Sequence, residues 1–118
     1  MHELSIAQSI YETVLREMEI RELAEVSTVG VRVGTLSGVM ADALQFSFEA
    51  IVIDSPLAGC KFTIEEIPVH GSCQSCGKAF VVKDFLFCCP ICQSGQIEVT
   101  QGYELEIAYL EVRGKGEG

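Results

Sequence analysis

No stretch of this chain is apolar for long enough to cross a bilayer. The longest such run lies near Ala50 to Ile53, far short of the roughly 20 residues that a spanning helix needs. Nor does the start, Met1-His2-Glu3-Leu4, carry the basic stretch, apolar run and small-residue cleavage site of a secretory signal. The expectation is a soluble, cytosolic protein. Basic residues are scarce, eight against 17 acidic ones, and the formal charge of -9 repels phosphate backbones and anionic lipid. Nucleic acid and membrane surfaces are therefore poor partners. There is no internal repeat of supersecondary length and no low-complexity tract before the glycine-rich tail, residues 114–118, which is expected to be disordered. At 118 residues and 48% hydrophobic, the chain has room for one modest core and a small satellite lobe.

From Glu3 to Met18 the residues Leu4, Ala7, Tyr11, Val14, Leu15 and Met18 recur at three-to-four spacing, the signature of one helical face. Ser27 to Val33 alternates, with Val29, Val31 and Val33 on one side, as a half-buried strand does. Gly34 and Gly38 bracket a turn. A second helix is predicted over about 41–53, with Asp42 placed to cap it, Leu44, Phe48 and Ile51 on its inner stripe, and Asp54-Ser55-Pro56 ending it. Lys61 to Val69 is rich in β-formers, and Tyr103 to Val112 alternates with Tyr103, Leu105, Ile107 and Tyr109 facing one way. The fold class that follows is mixed α/β (α+β), with two helices packed on a small three-stranded sheet. Residues 1–69 and 102–113 form its body, and 70–101 form a lobe inserted between two neighbouring strands.

That lobe holds five of the six cysteines. In a reducing cytosol, disulfides give way to metal ligation or catalysis. Cys73-Gln74-Ser75-Cys76 and Cys89-Pro90-Ile91-Cys92 are two C-x-x-C pairs, and each spacing lets one tight turn aim both sulfurs at a single ion. Together they supply four thiolates for a closed tetrahedral zinc site, which is structural because catalytic zinc keeps an open position. Gly77 tolerates the positive φ that such a turn needs. C-x-x-C-G and C-P-x-C turns also occur in rubredoxin-like iron electron carriers, and a zinc ribbon that binds nucleic acid is another reading, although the lobe offers only Lys78 and Lys83 as cations. Cys88 precedes Cys89 without the spacing. Cys60 reads as a small buried hydrophobe. His70, three residues before Cys73, is expected at a hinge or beside the ligands.

At the amino terminus, a free Met1 amine, the His2 amide nitrogen and the His2 imidazole Nδ1 can close a five-membered and a six-membered chelate ring around one ion. That arrangement is planar, as Ni(II) or Cu(II) prefers, and leaves a fourth position open. A histidine beside an initiator methionine is otherwise an incidental residue on a frayed end. Glu3, by chemistry alone, favours the start of a helix through the macrodipole.

Met1-His2-Glu3-Leu4-Ser5, the Gly34-Thr35-Leu36-Ser37-Gly38 turn and the paired cysteine knuckles together resemble the HypA family, nickel metallochaperones of [NiFe]-hydrogenase maturation. The resemblance runs over essentially the whole chain. It implies a carrier and not an enzyme, with His2 the essential nickel ligand, Glu3 in the same motif, and Cys73, Cys76, Cys89 and Cys92 the zinc ligands. It also implies a HypB-type GTPase and the hydrogenase large subunit as partners, with a homodimer as a further option. Some archaeal relatives carry another histidine in a longer lobe. Here His70 is the only lobe histidine, so the fourth nickel donor falls to the Glu3 side chain or amide, His70, water or a partner residue.

Overall fold

A computed structural model describes residues 3–113. Helix α1 (Glu3–Ile20) leads to β1 (Val26–Gly34), a short 3-10 turn (Thr35–Ser37), α2 (Ala41–Ile51) and β2 (Lys61–Ile67). Strands β3 (His70–Cys73), β4 (Ala79–Val81), β5 (Ile97–Gln101) and β6 (Leu105–Val112) follow. They build two sheets, ordered β2-β1-β6 and β4-β3-β5. In the first, β2 runs parallel to β1 and β6 antiparallel; the second is antiparallel throughout. The expected mixed fold of two helices on a three-stranded sheet is present.

Helix α1 buries Ala7, Ile10 and Val14, with Ile6, Tyr11, Leu15 and Met18 packed at the margin of the core. Leu4, read as part of the stripe, is 61% exposed, and Ile10 takes that role. The helix stops where Glu22 adopts a left-handed φ of 55° and the Leu23 amide reaches back to the Met18 carbonyl at 2.8 Å, satisfying an end carbonyl. In α2, Leu44 and Phe48 are buried, and the Phe48 ring stacks on Phe62 of β2 at 4.1 Å. Asp42 is not the cap. Met40 holds that position and has no capping side chain of its own, while its amide donates to the Glu3 carboxylate at 2.9 Å. Asp42 lies in the first turn instead, where its charge suits the helix dipole.

Strand β1 is central and not half-buried. Val29, Val31 and Val33 pack in the core, and Thr28 and Gly30 on the other face are also covered. Gly30 is covered by the Tyr109 ring, which a Cβ there would strike. The simple alternation predicted for β6 fails for a related reason. Val31 pairs with Ile107 but Gly30 with Tyr109, so Ala108 is an extra residue in a bulge. Ile107 and Leu110 therefore both reach the core, while Tyr109 turns to the opposite face and its hydroxyl meets Thr63 Oγ1 at 2.8 Å. Tyr103 precedes the strand and is exposed.

The lobe is expected from the sequence between two neighbouring strands; instead the chain leaves from β2 and returns to β6, with β1 between them. Strands β2 and β6 flank β1, and their ends meet its last residues, Ile67 against Gly34 and Leu105 against Val33. The 34–38 turn ties both crossings. Thr35 Oγ1 donates to the Ile67 carbonyl at 3.2 Å, the Gly34 amide to Glu104 at 2.7 Å and the Leu36 amide to Gly102 at 2.7 Å. A Cβ on Gly34 would overlap the Gly102 carbonyl. Because that neighbour is backbone, Gly34→Ala is expected to cost about 1–3 kcal/mol, the usual scale of overpacking, seen as a lower urea midpoint of the whole protein.

Candidate metal centre

The second sheet has few apolar residues to hold it. Among those buried near it are Val69, Val82, Cys73 and Cys89, and none belongs to the main core cluster. What gathers the chain is a pair of matched turns. In the first, the Cys73 amide donates to the Lys78 carbonyl at 2.9 Å and the Gly77 amide returns to the Cys73 carbonyl at 2.8 Å. In the second, the Cys89 amide donates to Ser94 at 2.9 Å and the Gln93 amide to Cys89 at 2.8 Å. Each turn needs a left-handed residue after its second cysteine, Gly77 at φ 79° and Gln93 at φ 64°. The two are bridged by the hydroxyls of Ser75 and Ser94, 2.9 Å apart.

The turns bring the Sγ atoms of Cys73, Cys76, Cys89 and Cys92 within 4.8 Å of one another. Across the turns, Cys73 faces Cys92 and Cys76 faces Cys89, each at 3.6 Å. A tetrahedral ion with metal–sulfur bonds of about 2.3 Å sets its ligands about 3.8 Å apart, so the donor set fits a tetrathiolate metal. Amides of Cys76, Ile91 and Cys92 lie 3.4, 3.4 and 3.5 Å from the Cys73 and Cys89 sulfurs. They favour the ionised form.

These donors leave the four thiols unequal. The Cys76 amide, aided by that of Ser75 and by neighbouring thiols, outweighs burial and holds Cys73 down at about 6, against an ordinary 9.0. The Cys92 amide likewise lowers Cys89. At Cys92 the Ser94 amide lowers the value, but the Cys73 contact, burial and the other two thiols outweigh it and push the group up to about 12. Cys76 is raised too: the Lys78 amide opposes the rise, and burial and the Cys89 and Cys73 thiols outweigh it. Four anions cannot share so small a space unaided, so metal uptake must displace protons, chiefly from Cys76 and Cys92.

Other candidates stand apart from this group. Cys88 is exposed, its thiol 3.9 Å from the Cys89 carbonyl. Cys60 packs half-buried against the main core, and burial raises its thiol pKa, as suits a small hydrophobe. His70 opens β3, opposite Val81 and Gln101, and is not one of the clustered ligands. Glu3 opens α1 with its carboxylate on the Met40 amide. His2 and the tail 114–118 lie outside the described residues. The sequence reading missed the second sheet, the Ser75 to Ser94 bridge and the role of Gln93. A legible signal for the last was that Gln93 stands after Cys92 as Gly77 stands after Cys76.

Residues 1–112 match the profile of the family described as "Hydrogenase/urease nickel incorporation, metallochaperone, hypA". The chain belongs to the HypA family. Proteins named hydrogenase maturation factor HypA include one from Geobacter metallireducens, 40% identical over 112 residues, covering 95% of this chain and 99% of that one. Another, from Desulfitobacterium hafniense, is 36% identical over 112 residues, covering 95% and 98%. Among solved structures, the solution structure of the Ni metallochaperone HypA from Helicobacter pylori superposes with a TM-score of 0.66 at 22% identity, over 98% of this chain and all of that one. A second HypA solution structure gives 0.71, again at 22% identity and over 98% of each chain. Both sheets and all four clustered cysteines of this HypA-family chain lie inside the matched residues.

Two outcomes follow from the turn geometry. Gly77 has open space where a Cβ would stand, so Gly77→Ala should lose only the left-handed preference, about 1 kcal/mol, while Gln93→Gly should gain a similar amount. Chelator midpoints for metal release read both. Stripping the metal should also erase amide protection across 70–101 while α1, α2 and β1 keep theirs, as hydrogen exchange would report.

Proposed function

We propose that this chain accepts Ni(II) at its amino terminus and delivers it during [NiFe]-hydrogenase maturation, working as a carrier and not as an enzyme. The observation that carries the reading is the match of residues 1–112 to a family described by nickel incorporation. In this reading residues 1–69 and 102–113 form the nickel-bearing body and 70–101 the zinc lobe. Cys73, Cys76, Cys89 and Cys92 hold zinc, which cross-links two turns that little apolar surface supports. All four of those donors are spent on one ion, which leaves cargo to another site.

The Met1 amine with the His2 amide and imidazole nitrogens offers that site, a planar chelate suited to Ni(II) and open to exchange. Glu3 contributes by anchoring. Its carboxylate on the Met40 amide fastens the start of α1 to the start of α2, so the residue next to His2 is tied to the body. Its backbone nitrogen remains a candidate donor. Transfer would proceed by ligand exchange inside a cytosolic complex with a HypB-type GTPase and the hydrogenase large subunit, with no net chemistry on the ion.

An iron-loaded, rubredoxin-like protein has the same donor set, and colour separates the two: one zinc and a colourless solution are expected. Nickel titration of the untagged protein and of His2→Ala, with zinc measured in parallel, tests the cargo site. The substitution should abolish stoichiometric nickel binding and leave one zinc per chain. Equal nickel affinity in both proteins discards the assignment. Extending the chain before Met1 turns the amine into an amide and should weaken binding as well.

A further inference from the structure

Both outer strands of the first sheet, β2 and β6, pair on one side only among the described residues. Helix α2 packs against β2, whereas a groove runs between α1 and the other edge strand, β6. It consists of two hollows of about 560 and 410 Å³ that share Thr13 and Ile107 and so form one channel. Ile6, Ile10, Val14, Ile107 and Leu110 give it apolar surface, and the wider hollow is also lined by the mutually paired Glu17 and Arg21. On the helix side it is lined by Ser5, Ser9 and Thr13, spaced about one turn apart, whose small side chains do not fill it. The other side is the β6 backbone, which pairs only with β1 in the described sheet.

Dimensions match an added strand. Ser5 to Ile20 of α1 spans about 22 Å at 1.5 Å per residue, and the eight residues of β6 span about 24 Å. Charge specifies what that strand carries. The segment 70–101 is neutral, Lys78 and Lys83 balancing Asp84 and Glu98, so the whole -9 lies elsewhere in the chain. On the sheet face away from the helices, β6 presents Glu106 and Glu111 beside Tyr109. Glu106 already has Arg32 on its β1 side at 2.9 Å, and its other flank faces the position of a new strand. A second copy fits badly. Two β6 strands paired antiparallel about Ala108 and Tyr109 would set Glu106 opposite Glu111, and like charges directly across a ladder destabilise it.

We propose that this groove binds an extended segment of a partner protein as a fourth strand on β6, with its apolar residues turned toward α1 and alternate lysine or arginine residues facing Glu106 and Glu111. Main-chain bonds to the β6 edge supply affinity, and the alternating pattern supplies selectivity. The partner is a protein, and the -9 body steers it by charge.

A capped nine-residue peptide of alternating valine and lysine is the probe, titrated into the full-length, metal-loaded protein. Exchange should slow at β6 amides that point away from β1, and NMR shifts should concentrate on β6 and on Ser5 to Thr13. An alternating valine and glutamate peptide should bind at least about tenfold more weakly. So should Ser9→Arg, which fills the channel from an exposed helical position; unchanged zinc content and circular dichroism would show its fold intact. No binding by the lysine peptide at millimolar concentration, shifts centred elsewhere, or equal binding of both peptides overturns the proposal. So does concentration-dependent self-association that protects β6, which would make the occupant a second copy.

Discussion

The packing of four thiols within 4.8 Å is the constraint on which the second half of the chain depends. Strands of four, three and five residues are too short to hold register by pairing alone, and small sheets normally require an apolar face or a helix against them. Here the sulfurs take that place. Cys73 and Cys89 are among the most buried residues of the chain, with 1% and 0% exposure, because each turn wraps its first cysteine in its own amides. The same amides that shape the turns lower the Cys73 and Cys89 thiols, so the geometry that closes the loops also prepares half of the ligand set for a cation. The other half resists until charge arrives. Folding of this sheet and metal uptake are accordingly one process.

The first sheet is organised on a different principle, and the two meet at a small backbone crossing. Burial of Leu44, Phe48, Val29 and Val31 needs no metal, but it leaves both outer strands ending beside Gly34. The chain can pass out through β2 and back through β6 only because Gly34 has no side chain where the Gly102 carbonyl comes close. The 34–38 turn then serves both traffic lanes, with Thr35 on the outgoing strand and Leu36 on the returning one. Two residues further, the Met40 amide donates to the Glu3 carboxylate. One short segment thus joins the start of α1, the start of α2 and the entrance to the cysteine-bearing sheet.

Different parts of this arrangement were legible in the sequence to different degrees, for physical reasons. The cysteine cluster was legible because C-x-x-C spacing is fixed by the turn itself, without reference to distant residues. The helices showed through their periodicity, with errors at the ends: Leu4 is exposed although its spacing fits the buried stripe, and the amide at the α2 start is held by Glu3, 37 positions away. Sheet order was hidden for the same reason. Val29, Val31 and Val33 announce a strand, but whether its other face is open depends on Tyr109 folding across Gly30. The bulge at Ala108 shows in the sequence only as a break in alternation at Tyr109-Leu110, where the apolar positions pass from odd to even numbers. Strands as short as β4 cannot display a period. The proposed amino-terminal site rests mainly on kinship, because one histidine beside a methionine carries no pattern.

Charge follows the same division. The cysteine-bearing segment is neutral, so its chemistry is set by sulfur and by exposed apolar side chains such as Phe85 and Leu86. The remainder carries the entire negative excess, in a form that pairs locally where it can: Arg32 sits between Glu65 and Glu106, and Arg21 beside Glu17. These exposed pairs contribute little to stability, and the excess of 17 acidic over eight basic residues sets a field that favours positive charge. A carrier whose cargo is a divalent ion gains from such a field at the approach and loses from it at release, since the attraction is the same in both directions. Hand-over therefore has to be driven by competing donors on the acceptor. A basic strand laid along β6 by a partner protein would neutralise part of that field while it is docked, so partner binding and the hold on the cation would be coupled through charge.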